Sequence, residues 1–172
     1  FVRGIMAEGM NLDVLTQSEI RESFPLLRGD FGRFLRATYC CELLDRMTEE
    51  RSPDAAAFDL LLSTLYILQR ATDPDVPVHA FELQLMAHAG YEPQLHACTR
   101  CESLFDEIPN VADGRIRETA TPCIIEGGYS AIRGGAMCIE CSTAAREEVL
   151  RLKPDTAAMM RRLTAEDNAR AL

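Results

Sequence analysis

Tryptophan is absent from the 172 residues, and Phe and Tyr together make up only 6%. That is too few for the row of stacked rings on which single-stranded nucleic acid is usually held. No apolar run approaches the roughly 20 residues of a membrane-spanning helix. The first residues carry no basic flank followed by an apolar core, so no secretory signal is visible. Internal repeats beyond two short cysteine pairs, low-complexity tracts and phosphate-binding loops are missing as well. Gly127-Gly128 and Gly134-Gly135 lack the strand-to-helix context of such a loop and read as hairpin glycines. His79 and His88 stand nine residues apart, on different faces of a predicted helix, and neither is spaced to pair with a nucleophile.

Charge narrows the functions further. The net charge is −9, but it is unevenly spread. Residues 54–97 carry Arg70 as their single basic residue against six acids, a poor surface for phosphates. Residues 1–53 hold seven Arg against nine acids and residues 142–172 six basic against five acidic, so contacts to nucleic acid or acidic peptides belong near those ends. With 47% hydrophobic and 26% charged residues the chain is not disordered. Its length allows a core plus a small module. A soluble, cytoplasmic protein is expected. The chain opens on Phe1 in a strand-like stretch, and the natural N-terminus is expected to lie upstream.

What is present is a pair of thiol knuckles. Cys98-Thr99-Arg100-Cys101 and Cys138-Ile139-Glu140-Cys141 have identical spacing and are separated by 36 residues. A two-residue gap lets one turn aim both sulfurs at a point, and two such turns supply the four thiolates that Zn²⁺ prefers. Four protein ligands leave no open position for water or substrate, so one structural Zn²⁺ per chain is expected and catalysis is not. Cys123 and His96 are rival ligands. Oxidation that ejects the metal is an alternative use of the same thiols. A zinc hydrolase would need a carboxylate base, as in His-x-Glu, whereas His96 is followed by Ala97 and Cys98. Cys40 and Cys41, adjacent in a helical run, read as free thiols.

Around the knuckles the pattern is mainly α. Residues 1–17 predict one or two short strands, with turns at Gly4 and Gly9 and a half-buried alternation at Leu12–Leu15. Thr16 and Ser18 followed by Glu19 and Glu22 predict a helix start, interrupted by Pro25 and Gly29. A longer helix after Asp30 has Phe31, Leu35, Tyr39, Leu43 and Met47 as its core stripe, widened by Phe34 and Leu44. Ser52 as N-cap before Pro53 opens a central helix, with Phe58, Leu61, Leu62, Leu65 and Leu68 on one face. A third, antiparallel to its neighbour, carries Val78, Phe81, Leu85 and Met86 and ends at Gly90. Turn formers and β-prone runs, Cys123-Ile124-Ile125 and Tyr129–Ile132, predict hairpins between the knuckles. Ser142 and Thr143 would cap a helix through Ala145, Val149 and Leu152, with Arg146 and Arg151 outward. Pro154-Asp155 opens a last one through Met159, Met160 and Leu163.

Several stretches resemble the RecO family of bacterial recombination and repair mediators: Leu12–Glu19, Leu43–Glu50, Phe81–Met86, Gly90–Leu95 and Gly134–Cys138, in order and spacing across nearly the whole chain. The resemblance implies an antiparallel helical bundle with an inserted small β zinc ribbon, preceded by remnant strands of a truncated OB fold. Residues 1–17 would end the OB-fold domain, 18–94 begin the helical domain, 95–142 form the ribbon, and 143–172 supply the C-terminal helices. Cys98, Cys101, Cys138 and Cys141 stand at the family's ligand positions. The family resemblance implies a non-catalytic mediator of the RecF pathway that helps load recombinase onto single strands coated with single-strand-binding protein and anneals complementary strands. Its partners would be RecR, the acidic, hydrophobic-ended tail of single-strand-binding protein, and single- or double-stranded DNA, at the bacterial nucleoid during repair. The region of Arg21, Arg28, Arg33 and Arg36 is the candidate for the tail. Most of the OB fold is missing, so this chain is expected to bind DNA weakly or not at all. Glu102 and Ser142 depart from the family, in which glycine often follows each knuckle.

Overall fold

Branched and apolar residues at Val2–Ala7 (β1) and Val14–Ile20 (β2) pair as an antiparallel hairpin in the computed structural model, which describes residues 1–10, 12–49, 51–105 and 127–165. The helix expected from Thr16 or Ser18 is therefore not formed. Thr16 instead donates its hydroxyl to the Ile5 carbonyl at 2.9 Å, serving the cross-strand pairing rather than a cap. Gly4 lies inside β1 opposite Ser18, not in a turn. Gly9 does turn, with its N–H on the Asp13 carboxylate at 3.4 Å. Both strands are exposed on both faces, so the expected half-burial is not seen.

The described residues form two compact units, residues 1–81 and residues 82–165, the division falling within a helix. In the first unit Pro25 opens α1 (Pro25–Gly29) instead of breaking a helix, as its fixed φ suits a first turn. The next helix, α2 (Phe31–Met47), starts where Asp30 accepts the Arg33 N–H at 3.0 Å. For α3 (Ala55–Leu68) the N-cap is Asp54, accepting from Ala57 N–H at 2.9 Å, and not Ser52. A carboxylate one residue beyond the proline wins because it adds charge to the same capping bond. The fourth helix, α4 (Asp75–His88), buries Val78, Phe81 and Leu85 as predicted and closes at Gly90 with φ +82°.

The inner face of α2 differs from expectation. Phe31, Phe34, Leu35 and Tyr39 face solvent, whereas Ala37 and Cys40 are buried. Arg33 shares their face and explains the rotation. Its guanidinium donates to the carbonyls of Leu68 and Ala71, satisfying acceptors that the end of α3 leaves without partners. The start of α2 therefore meets the end of α3, and the two run antiparallel. Small side chains at 37 and 40 let the helices approach, which a Phe stripe would prevent. One turn on, Arg36 pairs with Asp75 at the start of α4 at 2.6 Å.

In the second unit β3 (Gly127–Ser130), β4 (Gly135–Cys138) and β5 (Leu150–Leu152) form an antiparallel sheet in the order β4-β3-β5. Gly127 and Gly128 lie in β3, not in a turn. A Cβ on Gly127 would stand 1.9 Å from the Met137 carbonyl oxygen, so glycine is demanded by close strand approach. The turn falls at 131–134, with Gly134 at φ +69°. The helix expected through Leu152 is only α5 (Ile139–Thr143), after which the chain leaves as β5. Ser142 and Thr143 hydroxyls bond back to the Ile139 carbonyl rather than capping forward. The last described helix, α6 (Pro154–Ala165), matches its prediction. Cys123 and its β-prone run lie outside the described residues.

Replacing Arg33 by Leu should strand two helix-end acceptors and lower stability by about 1.5–3 kcal/mol, read as a reduced urea midpoint. The Asp75 carboxyl is held below its usual range by the Arg36 hydrogen bond. A depressed folded value means that this pair stabilises above the ordinary carboxylate range and is lost as pH falls through the folded value. An Asp75→Asn variant should thus be less stable than wild type at neutral pH and converge with it on acidification; parallel urea midpoints at both pH values would refute this.

Candidate metal centre

Leaving α4 through Tyr91–Pro93, the chain lays its next residues along β4. Gln94 N–H donates to Gly134 O at 2.9 Å, Ala136 N–H to Gln94 O at 2.8 Å and Thr99 N–H to Ala136 O at 2.9 Å. This approach needs Gly135, where a Cβ would lie 2.4 Å from the Gln94 oxygen. The first knuckle is then folded by its own backbone, with Cys98 N–H on Ser103 O and Glu102 N–H on Cys98 O, both at 2.9 Å. Glu102 sits at φ +62°, the left-handed region that favours glycine. The second knuckle is built differently. Cys138 ends β4 and Cys141 lies one turn into α5, so helical spacing puts both sulfurs on one side. Ser142 is helical and needs no glycine.

The two knuckles converge. Single Sγ atoms of Cys98, Cys101, Cys138 and Cys141 all lie within 4.8 Å of one another, the one such group of His, Cys, Asp or Glu among the described residues. Cys101 and Cys138 sulfurs are 3.9 Å apart. Sulfurs about 2.3 Å from a central ion form a tetrahedron with edges of about 3.8 Å, whereas a disulfide brings them to about 2.05 Å. The donor set therefore fits a thiophilic dication. His96 is exposed and outside the group. Cys40 and Cys41 are not joined in a disulfide, in keeping with the sequence reading.

The sulfurs are unequal. Cys98 is 1% exposed and accepts the Cys138 N–H at 3.4 Å, while Cys101 is exposed and lies 3.2 Å from the Ser103 hydroxyl. Burial opposes ionisation of Cys98, but the backbone N–H groups of Cys101, Cys138 and Arg100 together bring its thiol down to about 6. The hydrogen bond with Cys138, and after it burial, pushes Cys141 up to about 12. Without a cation the four groups thus share few negative charges, a balance that a dication among them inverts.

Behind the sulfurs lies an apolar core of Leu95, Cys98, Phe105, Ala136, Met137, Leu152 and Ala157. Arg161 of α6 donates through Nε to the Leu95 carbonyl at 3.0 Å, tying the last helix to the knuckle. Sequence reasoning missed both Arg161 and Ser103; the one available signal was a hydroxyl two residues after a thiol ligand. The arginines considered for a partner tail are differently employed. Arg33 and Arg36 bond within the first unit, Arg21 pairs with Glu19, and Arg28 is exposed. No described helix is long and apolar enough to cross a membrane.

A Glu102→Gly variant should relieve the left-handed residue and stabilise the second unit by about 1 kcal/mol, seen as a higher melting temperature. Ser142→Gly, inside a helix, should lower stability by a similar amount.

Residues 28–109 match the family model described as Recombination protein O C terminal. The protein named DNA repair protein RecO from Symbiobacterium thermophilum is 36% identical over 171 residues, covering 99% of this chain and 61% of that protein. The one from Roseiflexus sp. is 34% identical over 138 residues, covering 80% and 43% respectively. The one from Pelobacter propionicus is 41% identical over 96 residues, covering 56% and 39%. The chain thus spans between two fifths and three fifths of the length of these relatives. The matched segment runs from α1 through the first knuckle and the alignment to one relative extends over nearly every residue, so the chain is similar to RecO proteins along almost its whole length.

Proposed function

We propose that the chain is the non-catalytic helical and zinc-binding part of a DNA repair and recombination mediator. The observation that carries this reading is the closed group of four thiols in a chain whose relatives are named as DNA repair proteins. Cys98, Cys101, Cys138 and Cys141 would hold one structural Zn²⁺, with no coordination position left for a substrate. When bound, the metal supplies folding free energy, on the order of 10 kcal/mol or more in small zinc peptides. The chain's own residues bring the knuckles together through Gln94, Thr99 and the glycines of β3 and β4.

In this reading residues 1–17, with β1 and the start of β2, end an OB-fold domain, residues 18–94 and 143–172 belong to the helical domain, and residues 95–142 are the inserted ribbon. The longer protein works in the RecF pathway, loading recombinase onto single strands covered by single-strand-binding protein and annealing complementary strands. RecR and the tail of single-strand-binding protein are its protein partners, in the bacterial cytoplasm at the nucleoid. This chain by itself contacts DNA weakly, in keeping with its acidic residues 54–97 and its lack of Trp.

Native mass spectrometry should find one zinc per chain. Cys98→Ser should lose it and expose residues 95–142 to protease while the first unit keeps its helical signal. A variant that kept zinc and an unchanged cleavage pattern would overturn the metal reading. For the partners, the chain should retain RecR or a tail peptide of single-strand-binding protein on a biosensor surface while single-stranded DNA binds at least tenfold more weakly. Tight DNA binding with no response to either protein ligand would overturn that part.

A further inference from the structure

The four sulfurs divide into a sheltered side and a water-facing side. Cys98 is buried to 1% exposure and bonded by backbone N–H, and Cys138 and Cys141 are partly covered. Cys101 alone of the four is exposed. Cys101 is therefore the ligand most open to a proton, electrophile or competing chelator from solvent. A side chain stands at that vertex. The Ser103 hydroxyl lies 3.2 Å from Cys101 Sγ, and its position is fixed because the Ser103 carbonyl accepts the Cys98 N–H at 2.9 Å within the same knuckle. In the thiol form Cys101 donates to the hydroxyl oxygen. A hydroxyl hydrogen rotates freely to suit its partner, so against a metal-bound thiolate the same oxygen donates instead.

We propose that Ser103 is a positioning residue for the metal centre, whose hydroxyl donates to the Cys101 thiolate and guards the ligand most open to solvent. This rests on the zinc reading above and goes beyond it, since it assigns a residue outside the ligand set and names the vertex at which the metal is lost. The donated bond draws charge from the sulfur, which weakens it as a nucleophile. Removing a group that hydrogen-bonds to a metal ligand alters metal affinity by about 10- to 100-fold. The left-handed Glu102 between them matters here, because it turns the chain so that residue 103 folds back toward the sulfur of residue 101.

The test uses the zinc-loaded chain in three forms: wild type, Ser103→Ala and Ser103→Thr. Zinc transfer to a colorimetric chelator gives the release rate, and brief treatment with N-ethylmaleimide followed by peptide mass spectrometry gives the order in which cysteines are alkylated. Among the four clustered thiols, Cys101 should be labelled first in wild type. The Ala variant should release zinc and label Cys101 roughly tenfold faster, with an unchanged melting temperature for the first unit, and Thr should restore wild-type behaviour. Equal rates in wild type and Ala, or first labelling at Cys98, Cys138 or Cys141, would overturn the proposal while leaving the zinc reading intact. Wild-type protein that takes up no zinc would overturn both.

Discussion

Thiolates repel one another, and four of them within 4.8 Å form a stable arrangement only around a shared positive charge or with most of their protons retained. The second unit is arranged to tolerate this crowding. Backbone N–H groups converge on Cys98, a hydroxyl stands at Cys101, and the sulfurs rest on a core that includes Met137 and Phe105. The two knuckles reach the same point by different means, one a free-standing turn and the other the first turn of a helix. Sheet pairing then couples them. Because Thr99 and Gln94 bond to the strand that carries Cys138, displacement of either knuckle disturbs both.

Much of the site was legible in the sequence because matched Cys-x-x-Cys spacing is a local geometric property that needs no knowledge of the fold. The convergence of the knuckles and the rank order of exposure among the sulfurs were not. Helix existence was similarly legible at α2, α3, α4 and α6, where caps and periodicity agree. Two segments misled. Thr16-Gln17-Ser18-Glu19 has capping chemistry, but pairing with β1 claims its backbone first. Val149–Leu152 fits a helical stripe as well as a strand, and a place beside β3 decides for the strand.

The rotation of α2 is instructive for the same reason. Hydrophobic periodicity marks which residues can share a face, yet it is blind to a charged group that completes another helix. Arg33 looks like a surface residue in the sequence, and its guanidinium ends against the carbonyls of Leu68, the last residue of α3, and of Ala71 just beyond it. Its partners lie 35 and 38 residues away, so no local rule could find them.

The 36 residues between the knuckles also set an order of events during synthesis. At the roughly 5–20 residues per second of a translating ribosome, Cys98 and Cys101 precede Cys138 by about 2–7 s. For that interval a nascent chain offers only half of the donor set, and β4, to which the first knuckle bonds, does not yet exist. The second unit is thus assembled from its far end, and a ribosome paused before Cys138 would hold a pair of thiols with nothing to fold against.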